Sequence, residues 1–158
     1  MQYIFMALFA AGIVAADLIT KQLVLNNIPL HTQVDAIAGL FHLTYVQNTG
    51  AAFSSFRGMH WLFVLVFVVF GAFLVWEFTT SKFGFTRFER WCLVAVFAGG
   101  LGNLIDRLRF GYVVDMIAVD FMDFPVFNVA DCFITCGCIL LIVHLLFFNK
   151  SFWKEEKK

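Results

Sequence analysis

Four long apolar runs, separated by polar segments, constrain this chain more than any other feature. The first extends from Tyr3 to Ala16 and reaches Leu25 only by carrying Asp17 and Lys21. The second, Trp61 to Trp76, and the third, Trp91 to Ile105, contain no charge. The fourth, Cys132 to Phe148, has His144 as its only ionisable side chain other than cysteine. A bilayer core about 30 Å thick takes about 20 residues of α-helix at about 1.5 Å rise, within a range of about 17–25. Runs two and four reach that length with their flanks; runs one and three do so by accepting polar residues at one end. Outer-membrane strands alternate apolar and polar over about ten residues, and none of these runs does. The expectation is four transmembrane helices, at approximately 3–25, 59–78, 90–107 and 128–148, in one integral-membrane domain spanning 1–158.

Composition removes the soluble alternative. The chain is 61% hydrophobic and 14% charged, against roughly 45–50% and about 25% for a soluble domain, and its mean hydropathy is +0.85. A small globule buries only about two-thirds of its surface and cannot hide so much apolar area. Equal numbers of basic and acidic residues, 11 of each, give no overall field to draw nucleic acid. Cys92, Cys132, Cys136 and Cys138 form no CxxC pair. They read as buried packing residues rather than a zinc or disulfide framework.

No Lys or Arg precedes the first run, and apolar residues resume beyond Asp17. It is therefore expected to stay as a membrane helix, although Val14-Ala15-Ala16 resembles a cleavage site. Lys82, Arg87, Arg90, Lys150, Lys154, Lys157 and Lys158 fall on one side; Lys21, Arg57, Arg107 and Arg109 fall on the other. Basic residues favour the cytoplasm, so both termini are expected there, with the connections 26–58 and 108–127 outside. Trp61, Trp76, Trp91 and Trp153 flank the runs as interfacial anchors. Residues 41–45 alternate with the period of a half-buried strand, and 111–114 read as extended. The fold class is a membrane all-α protein, four transmembrane helices with a small extracytoplasmic β-platform and a short extracytoplasmic loop or helix.

Ionisable groups at membrane depth cost about 2.5–3.5 kcal/mol each on insertion scales, so each needs a reason. Asp17 and Lys21 stand i,i+4 with the acid first. They read either as a self-neutralising pair or as part of a polar site. Gly99, Gly100 and Gly102 precede Asn103, Asp106 and Arg107. That segment reads as tight packing with a surface Asp/Arg pair, or as a binding site, since Asn and Arg together suit a carbonyl or carboxylate. Asn128 and Asp131 have capping-box spacing, so Asp131 is either a cap or a functional acid. Asp115 sits among apolar neighbours, while Asp120 and Asp123 read as solvated turn residues.

His31, His42, His60 and His144 are scattered without HExxH-like spacing, and no metal or cofactor is expected. Two carboxylates near a membrane surface suggest an aspartic dyad. Held within a few ångströms, Asp115 and Asp131 cannot both ionise and would share one proton. The ionised partner can deprotonate a water while the protonated one donates to a scissile carbonyl, assistance worth about 10²–10⁴-fold.

The chain resembles the bacterial lipoprotein signal peptidases (signal peptidase II) over nearly its whole length. The matching stretches are Asp17 to Lys21, Asn48 to Phe53, Gly99 to Arg107, Val114 to Ile117 and Phe127 to Asp131. The resemblance implies a four-helix intramembrane aspartic endopeptidase of the bacterial inner membrane. Such an enzyme removes signal peptides from prolipoproteins before a diacylglyceryl-modified cysteine. It assigns catalysis to Asp115 and Asp131, substrate contact to Asn48, Gly50, Asn103, Arg107 and Asn128, and structural support to Asp17, Lys21 and Asp106. It further implies lipid-modified prolipoproteins and membrane lipids as partners, sensitivity to globomycin-type inhibitors, and a monomer. Met116 and Cys132 depart slightly from the family pattern. Neither is expected to touch the chemistry, though Met116 is expected to bear on how lipid or signal helix fits. The rival reading is a small ion-coupled transporter using Asp17, Asp106, Asp115 and Asp131 as a proton path. Transporters hold such groups nearer the midplane. A non-catalytic scaffold leaves the spaced carboxylates unexplained.

Overall fold

The computed structural model describes residues 1–50 and 60–149. Four helices form the bundle: α1 (Gln2–Asn27), α2 (His60–Thr80), α3 (Arg87–Phe110) and α4 (Val129–Phe147). Each is long and apolar enough to cross a membrane. The 26 residues of α1 extend about 39 Å at 1.5 Å per residue. Much of the outward apolar surface is lipid-like in character: Leu65, Val66, Val68, Val69 and Val75 of α2 are all exposed. Trp61 and Trp76 lie exposed near the two ends of that helix, and Trp91 packs edge-on against Phe9 of α1. Trp153, Arg57 and the four C-terminal lysines lie outside the described residues.

The bundle is built around α3, which packs against each of the other helices. Its glycines make that possible. A Cβ on Gly99 would sit 2.5 Å from the Ala130 carbonyl oxygen, and one on Gly102 would strike the Asp17 carboxylate. Gly137 of α4 meets the Cys92 carbonyl of α3 in the same close manner. Small residues let membrane helices approach backbone to backbone. The apolar run understates α3 at its start, because Thr86 and Glu89 form a capping box. At the other end Gly111 closes the helix with φ 79°.

A three-stranded antiparallel sheet caps one end of the bundle: β1 (Gln33–Ile37), β2 (Phe41–Asn48) and β3 (Val113–Val119), in that spatial order. The second connection thus contributes a strand rather than a helix among its described residues. It then turns back so that Phe127 bridges Ile117. One sheet face lies on α1, where Tyr45, Val114 and Met116 pack with Val24 and Ile28. Met116 is therefore turned into this core, and the expectation that it shapes the fit of lipid or signal helix is corrected.

The pairing of β2 with β3 slips by one residue between Leu43 and Val46. Leu43 stands opposite Ile117 and Val46 opposite Asp115, so Thr44 and Tyr45 together face Met116. Both are buried, which breaks the clean alternation read from the sequence. The extra residue also changes which face the end of the strand presents. Side chains alternate with period two along a strand, and an unbroken β2 would place Asn48 on the same side as His42. With the bulge, Asn48 pairs with Val113 and shares the face of Asp115. Bulges beside functional sites re-aim side chains in this way.

Candidate active site

Where the sheet meets α3 and α4, polar groups gather at one end of an otherwise apolar bundle. Asp115 projects from β3 and is 3% exposed. Its Oδ1 accepts from Asn128 Nδ2 at 2.7 Å and its Oδ2 from Asn48 Nδ2 at 2.9 Å. Burial pushes this carboxyl up to about 6. The Asp131 charge adds to the rise, while the two asparagine donors and the Lys21 ammonium oppose it.

Asp131 lies in the first turn of α4. Its Oδ1 accepts from Asn103 Nδ2 at 2.8 Å and its Oδ2 from the Asn128 backbone N–H at 3.1 Å. In return Asn128 Oδ1 accepts the Asp131 N–H at 3.0 Å, completing a capping box. The two readings of Asp131 from the sequence thus coexist, because capping leaves its carboxylate turned to the cavity. Asn128 is the link between the acids: it bonds Asp115 through its side-chain amide and Asp131 through its backbone.

Asn103 sits behind this pair. Its Oδ1 accepts from Lys21 Nζ at 2.9 Å and from Asn128 Nδ2 at 3.1 Å, which leaves its Nδ2 to face Asp131. Lys21 is 2% exposed and makes ion pairs with Asp17 at 2.8 Å and Asp106 at 3.0 Å. Asp106 is buried; it joins Lys21 across helices and does not form the surface pair with Arg107 that their adjacency suggests. Arg107 instead donates to the Gly50 carbonyl at 2.7 Å and to the Asn103 carbonyl at 3.2 Å. Its guanidinium lies 4.1 Å over the Phe63 ring. The Gly50 N–H donates to Asn48 Oδ1 at 3.0 Å, closing a tight turn at 48–50 within the stretch Asn48 to Phe53. Residues 51–53 of that stretch lie outside the described residues.

Asp115, Asp131, Asn48, Asn103 and Arg107 line one cavity of about 480 Å³, with Phe124, Pro125, Val126 and Phe127 along one wall. Cys132, Thr135 and Cys136 line the same cavity. Sequence reasoning assigns these three no part in the site. The signal that could find them is their 3.6-residue phase with Asp131, which puts i+1, i+4 and i+5 on adjoining faces. Cys132 thus stands on the cavity wall beside Asp131. A second, more apolar cavity of about 650 Å³ lies between α2 and α3 and shares Asn103, Arg107 and Asp131 with the first. The polar groups therefore sit where two largely apolar clefts meet. Among the described residues, no three His, Cys, Asp or Glu side chains are grouped to hold a metal.

Four spanning helices, a capping sheet and a buried cluster of acids and amides between lipid-facing clefts define a multi-pass membrane protein with an enzyme-like site. The sequence profile described as "Signal peptidase (SPase) II" matches residues 9–147, and the chain belongs to that family of peptidases. It is 40% identical over 144 residues to a lipoprotein signal peptidase of Streptococcus pyogenes serotype M2 (strain MGAS10270), covering 91% of this chain and 90% of that protein. The counterpart in serotype M5 (strain Manfredo) matches to the same extent. Two solved structures described as a bacterial membrane enzyme, determined in meso at 2.3 and 1.9 Å, are each 31% identical. The first superposes with a TM-score of 0.85 over 98% of this chain and 93% of the other. The second gives 0.81 over 92% and 94%.

Proposed function

We propose that this peptidase removes the signal peptide from diacylglyceryl-modified prolipoproteins, cutting before the lipidated cysteine, with Asp115 and Asp131 as an aspartic pair. The observation that carries this reading is the bond of Asn128 to both acids, which holds them as one unit on one cavity wall. Burial favours the protonated form of Asp115, so it donates to the scissile carbonyl as the tetrahedral intermediate forms. Asp131, at the N-terminus of α4, where the helix dipole favours negative charge, takes the proton of the attacking water. Asn48, Asn103 and Arg107, which line the cavity, present donors and acceptors to the peptide around the scissile bond, with Gly50 held beside them by Arg107; Asn128, fully buried, serves the peptide through the acids it joins. The apolar clefts suit a substrate that keeps its acyl chains in the bilayer.

The transporter reading is not favoured. Asp17, Asp106, Asp115 and Asp131 gather at the sheet end of the bundle, joined by short bonds, rather than forming a file across the membrane. The bias of basic residues supports an inner-membrane orientation with both termini cytoplasmic and the site near the outer leaflet. A monomer suffices for this chemistry, and globomycin-type cyclic peptides are expected to occupy the same cavity. Incubating the purified protein with lipidated and unlipidated precursors tests the function. A shortened product from the lipidated precursor alone is the expected result; no product, or equal cleavage of both, overturns it.

A further inference from the structure

Lys21 never reaches the cavity, yet each of its three contacts ends beside one of the two acids. Through Asp17 it reaches the N–H of Ala130, which bonds Asp17 Oδ1 at 2.9 Å and adjoins Asp131. Through Asp106 it reaches the N–H of Val114, which bonds Asp106 Oδ2 at 3.1 Å and adjoins Asp115. Through Asn103 Oδ1 it reaches Asp131 itself. An ammonium has only donors, so the third contact forbids Asn103 to turn its carbonyl toward Asp131.

Resting on the aspartic-pair reading, we propose that Lys21 is a positioning residue that fixes both the separation of the two acids and the distribution of their shared proton. The placement of α4 and β3 relative to each other runs through this cation from behind, as it runs through Asn128 on the cavity side. A reacting constellation needs its supporting groups held within about 0.5 Å, and the three contacts supply that. Among the described residues, the charged and titratable groups facing the pair are Asp17 and Lys21 from α1, Asp106 and Arg107 from α3, and Cys132 from α4; β2 offers the neutral Asn48. Lys21 and Arg107 are the cations of that described set, and Arg107 is engaged with the Gly50 carbonyl. Loss of Lys21 therefore leaves the acids with excess negative charge and raises the pH at which they release protons.

The test is turnover of a lipidated precursor by the full chain across pH, for wild type, Lys21→Met, Lys21→Arg and Asp115→Asn. Lys21→Met is expected to lower kcat at least 10-fold with KM within threefold, and to move the acid limb of the kcat profile up by about one pH unit. Lys21→Arg, which keeps the cation, should leave the limbs in place while recovering part of kcat. A folded Lys21→Met with wild-type kcat and limbs overturns the proposal. If Lys21→Met does not fold, Asp17→Asn/Lys21→Met, which removes one charge of each sign, is measured instead. Unshifted limbs in that double variant, or its failure to fold as well, mark Lys21 as a fold determinant only and overturn the proposal. Asp115→Asn separates the two levels. Retained cleavage there defeats the aspartic-pair reading, whereas its loss beside an unaltered Lys21→Met defeats only the role given to Lys21.

Discussion

Asn128 and Asp131 cap each other across the first turn of α4, each accepting the other's backbone N–H, at 3.0 and 3.1 Å. The same Asn128 side chain donates to Asp115 at 2.7 Å, so helix initiation and the joining of the acids share one amide. Serine also caps helices well, but its single oxygen, held at the Asp131 N–H, lacks the reach of the separate amide nitrogen to Asp115. Asn128→Ser is expected to lower turnover at least 10-fold and to lower the melting temperature by only a few degrees. Asn128→Ala should add the loss of the cap, about 1 kcal/mol. Thermal unfolding in detergent beside a cleavage assay separates the two effects; equal turnover in Asn128→Ser and wild type contradicts the linking role.

In the proposed aspartic pair, replacing either acid by its amide removes a proton-transfer partner without changing shape. Asp115→Asn and Asp131→Asn should each reduce cleavage of a lipidated precursor by about 10²–10⁴-fold or more, with little change in melting temperature. Normal processing by either variant removes that residue from the mechanism.

Proton distribution sets the pH dependence. In the proposed mechanism Asp115, raised to about 6, acts while protonated, so kcat/KM should fall as pH rises through that region. Asn48 donates to Asp115 Oδ2 and favours its ionised form. Asn48→Ala therefore raises the carboxyl further and carries the alkaline limb to higher pH, whatever its effect on binding. A limb that stays in place or moves to lower pH contradicts the assignment.

Two neighbouring glycines of α3 should respond oppositely. A Cβ at Gly102 strikes the Asp17 carboxylate, whereas one at Gly100 meets Phe67 at an ordinary 3.6 Å. Gly102→Ala is expected to destabilise by about 1–3 kcal/mol, as overpacking does, and to impair cleavage. Gly100→Ala should be neutral or slightly stabilising, since Ala favours helix over Gly. Melting temperatures of the pair decide the matter.

Arg107 holds the Gly50 carbonyl at 2.7 Å and stacks on Phe63, a use of the flat guanidinium that lysine does not reproduce. Arg107→Lys should raise KM for the precursor several-fold although the charge is kept. Unchanged kinetics would show that charge alone matters there.

The helices are legible in the sequence because lipid solvation demands long apolar runs, and the acids and amides stand out because each is costly at that depth. Other features depend on partners distant in sequence. Asp106 lies beside Arg107 in the chain but pairs with Lys21, a residue of another helix. Thr86 and Glu89 extend α3 past its apolar run through local bonds that hydropathy does not register. Met116 resembles a cavity residue because it adjoins Asp115, yet strand alternation turns it to the opposite face. Cys132 reads as packing from its apolar run alone, and its place in the cavity comes from the phase of α4. Glu89, 0% exposed, holds His144 at 2.8 Å at the far end of the bundle, a pairing across 55 residues that spacing does not reveal.

The slipped pairing in β2 makes the length of that strand a question of odd and even. Residues can be added to or lost from the hairpin tip near Gly39 without disturbing the active-site end of β2, since the turn is exposed and the register downstream is set independently. Deleting Thr44 or Tyr45 would restore a regular ladder and leave Asn48 opposite Val113, still on the face of Asp115. Keeping every residue but pairing them without the bulge would carry Asn48 one position past Val113 and turn it to the other face. What arms the site is therefore which residue stands opposite Val113, not how regular the ladder leading to it is.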